Sequence, residues 1–151
     1  MPARLLDGVA VANQIRAEVQ PAVQAFAARA GRAPGLGIVL VGDSAASEVY
    51  VSGKLKSAGD TGLRADLERL PSTASLSDLL AIVERLNESD LHDGILVQSP
   101  LPRTMGADAE LRVFDAIRPD KDVDGFHPLN VGRLVQNRAL LVACTPSGMP
   151  M

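Results

Sequence analysis

Between Leu36 and Lys56 the chain reads LGIVLVGDSAASEVYVSGKLK, and this stretch limits the fold more than any other. Its first part, Leu36 to Val41, is an apolar run with the length and branching of a buried strand. Gly42, Asp43 and Ser44 break the pattern, and a helical pattern follows. On that helix Ser47, Tyr50 and Lys54 stand at i, i+3 and i+7, a spacing that puts all three along one face. Tyr50 is the only tyrosine, and the chain has no tryptophan. A hydroxyl, a flat phenol and an amine just past the carboxyl end of a strand occupy the place where an α/β protein usually holds its ligand.

The remaining segments extend the same alternation. Asp7 is placed to cap a first helix with apolar positions Val9, Ala12, Ile15, Val19, Val23 and Phe26, and Pro21 is expected to kink it or split it in two. GRAPG, residues 31–35, is a turn, and Gly59 and Gly62 weaken and stop the Tyr50 helix. Leu63 to Leu70 alternates like a half-exposed strand. Ser75 or Ser77 caps a helix running to about Glu88, with Leu79, Leu80, Val83 and Leu86 inward. Asp93-Gly94 turns the chain into a third buried strand, Ile95 to Val97, ended by Gln98 and the prolines of SPLP. Ala107 to Ile117 reads as a helix with Leu111, Phe114 and Ile117 on one side. A loop from Pro119 to Pro128 follows, then a short helix through Val131 and Leu134 and a last strand at Leu140 to Val142. The expected fold is α/β: three layers, a mainly parallel sheet covered by helices on both faces.

Composition narrows the function classes. At 151 residues the chain suits one domain. With 15 basic and 18 acidic residues the net charge is -3, which implies no basic face and argues against nucleic acid as a partner. The single cysteine, Cys144, excludes an internal disulfide, fits a reducing cytoplasm and reads as a small buried apolar residue. MPARLLDG lacks the layout of a signal peptide, and no apolar run has the length of a membrane span.

Several sites are excluded by pattern. Gly35-Leu36-Gly37 precedes its strand and has no third glycine, so it is not a dinucleotide fingerprint; Gly53-Lys54 lacks the rest of a phosphate loop. His92 and His127 are isolated, with no metal-ligand spacing. No serine sits in the turn of a hydrolase nucleophile elbow.

What is left has two readings at each position. Lys54 is either a solvated helix lysine or a proton-handling amine beside Tyr50, whereas Lys56, half a turn on, faces solvent. Gln98 is either a turn glutamine or an amide that holds Lys54 or a ligand heteroatom, its position set by the rigid SPLP turn. Asp122 and Asp124 of KDVDG are a turn, a loop metal site without further oxygen ligands, or a carboxylate grip for a guanidine-like edge.

Taken in order, VGDSAASEVYVSGK, GILVQSPLP, PDKDVDGFHPLNVGRL and CTPSG resemble the methylenetetrahydrofolate dehydrogenase/cyclohydrolase family of the bacterial FolD type. The resemblance runs from LLDG to Gly148 and covers the family's N-terminal catalytic domain, whose fold is aminoacid-dehydrogenase-like. It implies that Lys54 is the catalytic lysine, Tyr50 its neighbouring tyrosine, Gln98 the glutamine that supports it and Asp124 the aspartate that binds the pterin. It also implies oxidation of methylenetetrahydrofolate with NADP, or NAD in some members, and hydrolysis of the methenyl product. By the same resemblance residues 1–148 are the catalytic domain and 149–151 a truncated end. The NAD(P)-binding domain, the family's returning C-terminal helix and its usual dimer contact are missing. Pro150 disrupts the helix that leads onward, Ser99 stands where leucine is usual, and Ala143 where proline is usual. The expected roles are therefore the folate-handling half of the enzyme, or a folate-binding module or inactive fragment without turnover.

Overall fold

A computed structural model describes residues 7–148, and the opening MPARLL and the Met149–Met151 end lie outside the described residues. The order is α1 Gly8–Ala30, β1 Gly35–Val41, α2 Ala45–Thr61, β2 Arg64–Leu70, α3 Leu76–Glu88 and β3 Gly94–Val97. A 3-10 turn at Arg103–Met105 follows, then α4 Ala109–Ala116, α5 Pro128–Val135 and α6 Cys144–Ser147. Among the described residues the three strands make one parallel sheet in the order β2-β1-β3.

β1 is central, and its side chains alternate between two cores. Val39 and Val41 join Ile95 and Val97 of β3 against Leu79, Val83 and Leu86 of α3 and Ala109 and Val113 of α4. Ile38 and Leu40 join Leu96 against Val51 of α2, with Leu55, Ala65 and Leu67 beside them. The sheet thus carries helices on both faces, as the alternation of strand and helix signals required.

The helix ends follow local chemistry. Asp7 accepts the amides of Val9 and Ala10, and Ser75 forms a reciprocal capping box with Asp78, so Ser75 rather than Ser77 starts α3. Gly62 closes α2 at φ 85°, a left-handed conformation that suits glycine.

Four expectations give way. Of the two outcomes expected at Pro21, a kink or a split, the split does not occur, and α1 runs on as one element of 23 residues. Its apolar stripe is largely uncovered, with Val23 buried but Val9 71% exposed, because α1 lies on α2 rather than on the sheet. Ile15 and Val19 instead line an open groove of about 280 Å³ with Leu36, Ala58, Leu63 and Leu96. In α4 the buried stripe is Ala109, Val113 and, just beyond it, Ile117, while Leu111 is 66% exposed. Leu140 to Val142 form no strand. The edge place beside β3 is already taken: Ile95 N–H donates to Lys121 O at 2.7 Å and Ile95 bridges Asp122. Residues 141–143 instead lie against Gly125. Cys144 is exposed at the start of α6, not buried.

Candidate active site

Three elements bring the predicted side chains to the carboxyl end of the sheet. α2 follows β1 after Gly42-Asp43-Ser44, and Ser44 Oγ accepts the Ser47 amide to start the helix. The first turn of α2 is tied to the end of β2 by a two-pronged ion pair between Glu48 and Arg69. Lys54 then lies half-buried over the tip of the sheet, Lys56 faces solvent and Ser47 is buried.

Lys54 Nζ donates to Gln98 Oε1 at 2.9 Å. Gln98 stands one residue past β3, with its amide N–H bonded to Val39 O at 2.9 Å. Its side-chain Nε2 donates to Ser99 O at 2.7 Å, so the amide is held with its oxygen toward the lysine. The Ser99–Pro100 peptide behind it is cis; the turn is braced by Leu101 N–H, which donates to Glu110 Oε1 of α4 at 3.1 Å.

The KDVDG loop runs along the free edge of β3. Gly94 permits this approach, because a Cβ there would lie 2.5 Å from Val123 Cγ1. Asp124 is half-buried and makes no hydrogen bond or ion pair through its side chain among the described residues. Burial pushes its carboxyl above the ordinary carboxylate range, the Lys54 charge pulls it back, and the neighbouring Asp122 adds to the rise. Lys54 therefore links both partners, by a hydrogen bond to Gln98 and by its field to Asp124.

Tyr50 is 67% exposed and its hydroxyl bonds to no described residue, so the ring offers an open flat face one turn from Lys54. The two histidines stand apart from this group. His127 caps α5, its Nδ1 accepting the Leu129 amide at 3.0 Å, and His92 sits at the amino end of the sheet.

Buried polar groups behind the loop escaped the sequence reading. Lys121 Nζ donates to the carbonyls of Leu86, Asn87 and Ser89, closing the carboxyl end of α3. Asn87 accepts the Arg118 amide and donates to Ala116 O, and Asn130 donates to Pro119 O and Asp122. A side chain that bonds to backbone far along the chain leaves no periodic mark. The glycine three residues after Asp122 was the only local sign.

The fold and these side chains define an α/β domain with an amine, an amide and a carboxylate gathered at the carboxyl ends of parallel strands. Residues 6–124 match the family described as tetrahydrofolate dehydrogenase/cyclohydrolase, catalytic domain, and the chain belongs to it. It is 53% identical over 149 residues to "Bifunctional protein FolD 3" of Rhizorhabdus wittichii, covering 99% of this chain and 48% of that protein. The crystal structure of the FolD methylenetetrahydrofolate dehydrogenase/cyclohydrolase of Campylobacter jejuni superposes with TM-score 0.88 at 38% identity, over 96% of this chain and 50% of that one. The Trypanosoma brucei FolD structure, complexed with NADP cofactor and inhibitor, gives TM-score 0.89 at 36% identity, over 97% and 50%. The chain spans about half the length of the relatives it matches.

Proposed function

We propose that this chain is the folate-handling catalytic half of a bifunctional methylenetetrahydrofolate dehydrogenase/cyclohydrolase. In this reading residues 1–148 are the catalytic domain, and an NAD(P)-binding domain outside these 151 residues completes the cleft. Lys54, Tyr50 and Gln98 carry catalysis, and Tyr50, Gln98 and Asp124 bind the substrate.

The observation that carries the reading is the bond from Lys54 Nζ to Gln98 Oε1, with Asp124 in the field of the same ammonium. The chemistry follows from the parts. An ionised Asp124 grips the amino-pyrimidine edge of a pterin through two parallel N–H donors. The open ring of Tyr50 stacks on its flat face. Water attack on a cationic methenyl carbon releases a proton; Lys54, steadied by Gln98, takes it up as the neutral amine and, as the ammonium so formed, returns it when the ring opens.

The nicotinamide cofactor does not fit the described residues. The turns after β1 and β3, Gly42-Asp43-Ser44 and Gln98-Ser99-Pro100, hold one glycine between them, where a pyrophosphate needs a glycine-rich turn opening a helix. The described side chains therefore carry no hydride step of their own, and the hydrolytic step is the one assigned to them.

The same reading places the chain in the cytoplasm, acting on a small-molecule folate, with homodimerisation as in the full-length family. No helix among the described residues is long and apolar enough to cross a membrane. The test is hydrolysis of methenyltetrahydrofolate by the chain and by Lys54→Ala. Loss of at least about a hundredfold in rate is expected. Equal rates remove Lys54 from the chemistry, and folate binding without hydrolysis in the wild type leaves a binding module.

A further inference from the structure

Two acids one residue apart meet opposite conditions in the KDVDG loop. Asp124 has no hydrogen-bond donor among the described residues, while Asp122, only 2% exposed, has three. Its Oδ1 accepts the Gly125 amide at 3.1 Å. Its Oδ2 accepts the His127 amide at 2.8 Å and Asn130 Nδ2 at 2.9 Å. Asn130 is 0% exposed, and its other Nδ2 hydrogen goes to Pro119 O at 2.8 Å. Rotating that amide by 180° would aim its oxygen at a carboxylate and a carbonyl, so its orientation is fixed. Gly125 completes the turn at φ 69°.

Residues 122–127 thus wrap around one buried carboxylate. Asp124 lies inside that span, just before the amides of Gly125 and His127 that this carboxylate holds. No hydrogen bond or ion pair among the described residues reaches the Asp124 side chain.

We propose that Asp122 and Asn130 are positioning residues: Asp122 is the fixed anion around which the loop folds, Asn130 holds that anion in place, and together they set where the Asp124 carboxylate stands relative to Lys54 and Gln98. The proposal rests on Asp124 binding the folate and adds what makes that possible. It also has an electrostatic side. The charged groups acting on Asp124 are Lys54 from α2, which favours its ionised form, and Asp122 from its own loop, which opposes it; Gln98 at the tip of β3 is neutral. Removing the Asp122 charge therefore lowers the proton affinity of Asp124.

The test measures binding of folic acid to the 151-residue chain by calorimetry across pH. Asp124→Ala is expected to abolish binding. Asp122→Asn offers one acceptor to three donors and turns an N–H toward an amide, so affinity falls by about tenfold or more. Its pH midpoint of binding also moves down. Asn130→Ser keeps the anion but removes one of its donors, so it weakens binding less and leaves the midpoint in place.

A wild type that binds no folic acid, or Asp124→Ala binding as tightly as wild type, defeats the reading of the site, and this proposal falls with it. Loss of binding in Asp124→Ala with an unchanged Asp122→Asn defeats the positioning role alone. Weaker binding in Asp122→Asn at an unmoved midpoint reduces Asp122 to a structural residue and also overturns it. Should Asp122→Asn fail to fold by circular dichroism, Asn130→Ser decides, and wild-type affinity in that variant is the overturning result.

Discussion

The two ends of the sheet hold the same kinds of residue and use them in opposite ways. At the amino ends of the strands Arg32, Asp93, Arg64 and Asp66 each meet an opposite charge. Arg32 grips Asp93 through two bonds of 2.6 and 2.9 Å, and Asp93 also accepts the Gly35 amide at 2.8 Å. Arg64 pairs with Asp66 at 2.5 Å, and His92 bridges Asp66 and Ser89 at 2.9 Å each. At the carboxyl ends Glu48 and Arg69 pair, but Lys54 has one neutral partner and Asp124 has none. The proton affinities record the contrast. The guanidinium of Arg32 holds Asp93 below the usual carboxylate range, while burial pushes Asp124 above it. A charge satisfied inside the chain holds the fold, whereas one kept half-buried without a donor is set to meet something from outside.

The largest effect that would break this comparison is at Asp124. Asp124→Asn is expected to lower folate affinity by about tenfold or more while leaving the melting temperature equal or higher, because a half-buried acid without donors opposes folding when ionised. A lower Tm with unchanged affinity would make Asp124 a structural residue like Asp93. Next comes Gly94→Ala, whose new methyl lands on Val123 and displaces the loop that bears Asp124. Folate affinity should fall several-fold, and adding Val123→Ala should restore most of it. No rescue would mean that the loop's place does not depend on this contact. At the other end, Asp93→Ala removes the acceptor of the Gly35 amide and should cost on the order of 1 kcal/mol in urea unfolding, with methenyl hydrolysis unchanged.

What the sequence made legible follows from how far each signal reaches. β1, α2, α3 and β3 were readable because apolar runs and capping residues act locally: Leu36–Val41, Ser75 or Ser77, and Gly62 declare their structure within a turn. Spacing put Lys54 on a helix face and Gln98 at a strand tip but left two readings at each, and the bond between them is visible only in the fold. The failures all concern what lies across space. The stripe on α1 shows which side of the helix is apolar, not whether anything covers it. Leu111 outweighed Ala109 in the pattern of α4, although the small residue is the one that fits against the core. Leu140 to Val142 had strand composition but no place beside β3, since Lys121 and Asp122 occupy that edge. Asp122 and Asn130 are eight residues apart and meet only because the loop and α5 fold back together.

The smallest effect is also the sharpest, because the two ends should answer acid with opposite signs. Asp93 has a folded pKa below its unfolded one, so its contribution is present above the unfolded pKa and is lost as pH falls through the folded value. Asp124 has a folded pKa above its unfolded one. As pH falls from neutrality the folded state takes up that proton first, so acidification through this range relieves a cost to folding. Relative to wild type, Asp93→Ala should therefore lose less stability between neutral pH and the carboxylate range, and Asp124→Asn should lose more. Chemical denaturation at a series of pH values reads both slopes in one experiment. Parallel slopes in the two variants would erase the distinction between a charge that the fold satisfies and one that it leaves open.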